Sequence, residues 1–197
     1  MKHILYTLAL LLYSITAFAQ EESQLEAFIA DSTWTKEIIE FPIGFAQDIP
    51  YEGYEDLRFA KQWRDQTHKD FWCYTFAWHI KTNEKQTTKT LETYMASYYN
   101  GLMAAVNKKK DFKVPATTVL FIENNSTQTD ADFIGKISVY DAFNSEAMMT
   151  LNVLVKAHYC DATHTSAIVF RLSPQTFDQE IWIRFDTITL KSNICEY

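Results

Sequence analysis

Between Phe71 and Ile80 the chain alternates with period two. Trp72, Tyr74, Phe76, Trp78 and Ile80 fall on one side, and Cys73, Thr75, Ala77 and His79 on the other. Successive side chains of a strand point to opposite faces, so this segment is read as a β-strand. Neither side carries a formal charge apart from what His79 can take up. Such a strand is expected to be covered on both faces, in the middle of a sheet.

Its partners are legible around it. Thr35–Phe41 reads as a strand stopped by Pro42, and Leu57–Ala60 as a short one. After Pro115 the period-two pattern returns in Thr117–Glu123, Phe133–Tyr140, Ala147–Tyr159 and Thr165–Leu172. In the third of these, Met149, Leu151, Val153, Val155, Ala157 and Tyr159 share one face, while Asn152, Lys156 and His158 make the other face wet. The short polar connections at 123–132, 141–146 and 161–164 predict antiparallel hairpins. Residues 42–54 carry two prolines and two glycines and read as a long ordered loop, and 62–70 as a polar turn.

Thr90–Lys109 has helical spacing, with Leu91, Met95, Tyr98, Leu102 and Ala105 on one stripe. Gly101 inside it costs roughly 1 kcal/mol against Ala and is expected to allow close packing on the sheet. Lys108, Lys109 and Lys110 at its end suit the helix dipole. Ser23 and Glu26 have capping-box spacing and predict a short helix over Leu25, Phe28 and Ile29. Thr176 and Gln179 likewise predict a C-terminal helix carrying Ile181, Trp182, Phe185 and Ile188, against a competing strand reading of Ile181, Ile183 and Phe185. The fold class expected is α+β, a mainly antiparallel sheet with one long helix packed across a face and a shorter C-terminal helix.

The N-terminus has the three-part layout of a secretory signal: basic Lys2 and His3, an apolar run of about a dozen residues, then Ala17-Phe18-Ala19 before a polar stretch. Residues 1–19 are read as a signal peptide cleaved near Ala19, and 20–197 as a single α+β domain. A membrane-spanning helix needs roughly 20 apolar residues, so an integral membrane protein is not expected; the location expected is periplasmic or secreted. The net charge of -7 disfavours nucleic acid as a partner, because an acidic chain repels phosphates.

Three cysteines remain: Cys73, Cys160 and Cys195. Three pairings are possible. Cys73 reads as a small core residue, and Cys160 with Cys195 is the pairing that would pin the tail. That cystine would close a loop of roughly 35 residues, worth about 4 kcal/mol in the chain-entropy account.

Signatures of zinc peptidases, dithiol motifs, nucleophile elbows and phosphate loops are absent from the sequence, and no cofactor is called for. Two constellations are candidates. Tyr51, Tyr54, Glu55, Asp56 and Trp63 combine rings with carboxylates, which suits a sugar or other small ligand; Glu55 or Asp56 pairing with Arg58 is the plainer alternative. His158, Cys160, Asp161 and His164 have ligand types and spacing for zinc or copper. A Cys160 cystine would remove that thiolate. His79 reads as a satisfied interior histidine, and Tyr94, Tyr98 and Tyr99 as core or pocket lining. Asn124 and Asn125 each begin an Asn-x-Ser/Thr acceptor.

The run Glu40-Phe41-Pro42-Ile43-Gly44-Phe45-Ala46-Gln47-Asp48-Ile49-Pro50-Tyr51-Glu52-Gly53, continuing through Glu55-Asp56-Leu57-Arg58-Phe59, resembles uncharacterised secreted bacterial proteins. Arg171-Leu172-Ser173-Pro174-Gln175 followed by Trp182 is similar too. The resemblance implies a bacterial envelope or secreted location and carries over no catalytic residue. The function expected is that of an exported, non-enzymatic domain binding a small molecule, glycan or protein. The alternatives are an extracytoplasmic hydrolase with dispersed carboxylates or histidines, and a metal-binding protein.

Overall fold

In the computed structural model, which describes residues 25–196, the elements in chain order are β1 (Phe28–Ile29), β2 (Trp34–Glu40), β3 (Gly53–Ala60), β4 (Tyr74–Lys81) and α1 (Thr88–Asn107). They continue with β5 (Thr118–Ser126), β6 (Asp130–Tyr140), β7 (Met148–Cys160), β8 (Thr165–Ser173), α2 (Glu180–Phe185) and β9 (Thr189–Leu190). The architecture is mainly antiparallel sheet with one long and one short helix. Seven strands pair in the order β2-β3-β4-β8-β7-β6-β5, and β1 pairs separately with β9. Every pairing is antiparallel. The signal segment, the chain start at Gln20 and the Ser23 cap lie outside the described residues.

The central position expected for β4 is observed: β3 lies on one side and β8 on the other. Its alternation sorts two cores. The strand starts at Tyr74, later than the expected Phe71, because residues 71–73 belong to the turns before it. Tyr74, Phe76, Trp78 and Ile80, with Trp72 from the turn, enter the larger core, with Leu91, Met95, Tyr98, Tyr99 and Met103 of α1. Cys73 and Ala77 enter a second core on the opposite face, built from Ala27, Phe28, Trp34, Ile181, Trp182, Phe185, Ile188 and Ile194. Residues 27–34 and 181–194 therefore cover the face that α1 leaves free. That cover does not reach the far edge, where Leu120 and Ile122 of β5 remain largely exposed. On β7, Lys156 is solvated as the sequence suggests, but Asn152 is buried and donates to the Gln175 carbonyl at 2.9 Å.

Two local expectations change. No helix forms at residues 25–29. Phe28 and Ile29 pair with Leu190 and Thr189 instead, and the Asp56 carboxylate accepts from the backbone N–H of Ala27 and Phe28 at 2.9 and 3.0 Å. Glu26 pairs with Arg58, Lys36 and Lys191. The tertiary partners offer more than one isolated helical turn, whose nucleation is unfavourable. Secondly, β3 begins at Gly53, four residues before the apolar run, because Glu55, Asp56 and Arg58 are buried strand residues. Thr87 caps α1, accepting from the Thr90 N–H. α2 is short, and the Thr176 hydroxyl bonds Asp178 rather than capping it.

Gly101 does permit a close approach, but of the 41–52 loop rather than the sheet. A Cβ there would lie 1.8 Å from the Phe45 carbonyl oxygen. Cys160 and Cys195 form a disulfide across 35 positions, and Cys73 is a free, buried thiol.

Gly101→Ala should therefore lower stability by about 1–3 kcal/mol through overpacking, against the gain its helix propensity alone would bring. A thermal melt checks this, and a raised midpoint would show that the loop yields. Replacing Cys195 by Ser should cost roughly 2–4 kcal/mol, read by denaturant unfolding. No loss of stability would mean that α2 and the second core hold the tail unaided.

Candidate functional site

Residues 61–73 form successive turns between β3 and β4. The Trp72 N–H donates to the Trp63 carbonyl at 2.9 Å and the Ala60 N–H to the Cys73 carbonyl at 3.1 Å, so the loop folds back on itself. To do so Trp72 takes a left-handed backbone with φ 52°. For a bulky residue this costs on the order of 1–3 kcal/mol and persists only where the surroundings enforce it. Here the enforcement is burial: Trp72 packs against Trp63, Tyr74 and Phe143.

The turns bring Trp63 and Trp72 to a cavity of about 150 Å³ between the sheet and α1. Glu37 and Ile39 come from β2, Leu57 and Phe59 from β3, Tyr74 from β4, and Tyr98 and Leu102 from α1. Phe45 and Phe143 close it from two loops, with Arg64 beside them. An apolar cavity of this volume holds a molecule about the size of benzene. Phe59 stacks on Trp63 at 4.8 Å and on Tyr74 at 5.5 Å. The exposed Arg64 guanidinium lies over Trp63 at 4.7 Å and Phe143 at 5.6 Å, which fixes its place by cation–π attraction.

Behind the wall sits a fully buried carboxyl. Glu55 shares its face of β3 with Leu57 and Phe59, and it receives the Tyr98 hydroxyl at 3.3 Å. Its other oxygen has no hydrogen-bond partner, and neither does the facing Trp78 indole N–H, whose approach to Glu55 falls short of good geometry. Burial pushes the Glu55 carboxyl up to about 8; the Tyr98 hydroxyl and Trp78 partly offset this, and the Glu37 charge adds to it. At neutral pH Glu55 is therefore mostly uncharged. Tyr98 is itself raised well above the ordinary phenol range, first by burial and then by Glu55 and Tyr74. The Tyr74 and Tyr99 hydroxyls bond each other.

Of the five residues read as a ligand constellation, only Trp63 lines this cavity. Glu55 lies behind it. Tyr51 packs among Phe41, Trp78 and Tyr94. Tyr54 and Asp56 point to the opposite face, where Tyr54 meets His79 and Asp56 pairs with Arg58. Adjacent strand residues cannot share a face, so the five could not converge. Tyr74 is marked by the alternation of β4 and Tyr98 by the stripe of α1, whereas Trp72 sits in the preceding turn, where its left-handed backbone and not strand period sets its direction. Phe45, Arg64 and Phe143 sit in loops that carry no periodic signal.

The proposed metal ligands also separate. His158 and Cys160 share a face of β7, and with Cys195 their ligand atoms lie within 4.8 Å, but both sulfurs are in the disulfide. His158 bonds Asp130 at 2.7 Å. His164 turns to Tyr159 at 3.2 Å, on the other face, and Asp161 is exposed. His79 is half satisfied: it bonds the Ile194 backbone while Nε2 has no partner, and burial lowers its pKa. No protein-family model matches the chain, no curated protein matches its sequence, and no solved structure matches it.

A carboxyl whose pKa is raised on folding binds its proton more tightly in the native state. Its contribution to stability is complete below pH 4.5 and is lost as pH rises towards 8. Glu55→Gln should remove this loss, so the variant gains on the wild type steadily between those limits. Melts of both proteins across pH 5–8 measure it. A difference that does not change with pH would mean that Glu55 is ionised in the folded protein.

Proposed function

We propose that this protein is an exported, non-enzymatic binding domain whose cavity receives a small, largely apolar molecule. The observation that carries this reading is the convergence of seven aromatic rings from strands, loops and α1 on one cavity of about 150 Å³, with the strained Trp72 backbone at its wall. Strain of this kind collects at binding and catalytic sites. The N-terminal sequence layout and the cystine are both compatible with export.

The chemistry of the lining favours an apolar ligand over a glycan. A sugar presents many hydroxyls and needs matching polar groups, whereas the walls are mostly rings and aliphatic side chains. Hydrolysis by paired carboxyls gains no support, because Glu37 lines the cavity and Glu55 does not. A thiolate metal site at Cys160 is in competition with the disulfide.

Toluene should raise the melting temperature of the full chain and saturate. Leu102→Trp, which drives an indole into the cavity from α1, should abolish that response while leaving the circular dichroism unchanged. An unaltered response in the variant, or none in the wild type, would remove the basis for this reading.

A further inference from the structure

Where β7 ends, two ligand-bearing side chains meet the tail of the chain. His158 and Cys160 are two apart on one face of β7, and Cys195 reaches them from the segment after β9. One ligand atom from each lies within 4.8 Å of the other two. Zinc holds sulfur and nitrogen ligands at about 2.0–2.3 Å, so side-chain rotation can bring atoms this close onto one ion. The His158 ring is already oriented. Its Nδ1 donates to the Asp130 carboxylate at 2.7 Å, which leaves Nε2 as the nitrogen that offers a lone pair. A carboxylate behind a ligating histidine is the common outer support of a zinc site.

The tail does not rely on the disulfide alone for its place. Ile194 is buried in the second core, and His79 bonds its backbone, so Cys195 stays near β7 when the S–S bond is broken. Cys160 is buried, but His158 and Cys195 are partly exposed. The group is therefore open to solvent on one side, where an ion can enter and a water can complete the shell. None of the three residues lines the aromatic cavity, so the two sites are independent.

We propose that His158, Cys160 and Cys195 form a zinc site that is open only while the cystine is reduced, so that either a disulfide or a metal ion fastens the tail to β7. A dithiol reductant supplies two electrons and two protons. The S–S bond breaks, the reductant becomes its own disulfide, and two thiols result. Zn²⁺ then replaces the two thiol protons, which pass to solvent, and bonds both sulfurs and the His158 nitrogen. Exchange with a disulfide donor reverses this: the donor takes up the two electrons and the zinc leaves. Thiolate and imidazole ligands select zinc over Mg²⁺ or Ca²⁺, which prefer oxygen.

Co²⁺, a coloured substitute for zinc, tests this on the full chain reduced with a phosphine that is then removed. A sulfur-to-cobalt charge-transfer band should appear in the reduced chain and disappear when Zn²⁺ is added; the oxidised chain should show no band. Asp130→Ala should weaken Zn²⁺ by about 10–100-fold, Asp130→Asn, which keeps an acceptor for Nδ1, should recover part of that, and His158→Ala should weaken it further. Cys73→Ser should change nothing. Zn²⁺ should also raise the melting temperature of the reduced chain, as a ligand of the folded state does; thiolates of an unfolded chain would bind without raising it. No band in the reduced chain overturns the site. So does a band of equal affinity in His158→Ala, a band lost in Cys73→Ser, or an unmoved melting temperature.

Discussion

Phe76 stacks on Phe170 of the neighbouring strand at 4.6 Å and lies parallel to Tyr98 of α1 at 5.8 Å. This contact joins the middle of the sheet to the long helix, and much of the larger core is arranged around it. Trp78 adds an edge contact to Phe170 and a tilted one to Tyr98. Offset and edge-on ring pairs of this kind add about 0.5–1.5 kcal/mol each beyond their buried area. The rings also set a spacing. Between helix and sheet, large flat side chains fill the middle, while the end near β2 is closed only by loops. The cavity lies at that end.

Strand β3, next to β4, shows how adjacent acids acquire different roles. Glu55 and Asp56 are neighbours in the chain, both fully buried, and they face opposite cores. Asp56 meets two backbone N–H groups and the Arg58 guanidinium, so its lone pairs are met by donors and residues 27–28 are tied to the sheet. Removing one partner of such a buried pair typically costs 3–5 kcal/mol. Glu55 meets one phenol and an indole that does not quite reach it, and the cheaper solution there is to keep the proton. One residue anchors the second core; the other leaves an incompletely bonded group behind the cavity.

Legibility followed periodicity. The β4 alternation, the four strands after Pro115 and the stripe of α1 each repeat often enough to override local noise, and most of their faces sort as the pattern implies. The exceptions are Ala105, which is exposed at the end of α1, and Asn152, which is buried on the face of β7 expected to be wet. The errors fall where a short motif stood without repetition. Ser23 and Glu26 resembled a helix cap, but Glu26 is claimed by Arg58, Lys36 and Lys191 from β3, β2 and the tail. Glu55 and Asp56 looked like loop residues because charge within a strand is unusual; Asp56 is buried with partners, and Glu55 is held mostly uncharged. Trp63 was legible as a candidate, but the company it keeps was not, since Phe45 and Phe143 reach it from positions 18 residues before it and 80 after it.

The sequence by itself determined the long alternating strands, the long helix, the central place of β4 and the preferred cystine, since these follow from side-chain period, chain punctuation and a choice among three thiols; the short β1 and β9 owe their existence to pairing with each other. Tertiary structure alone decided which face each acid serves, what covers the second face, and where the rings leave space. Those outcomes depend on contacts between segments far apart in the chain, and no local pattern encodes the distance left between two surfaces once both are packed.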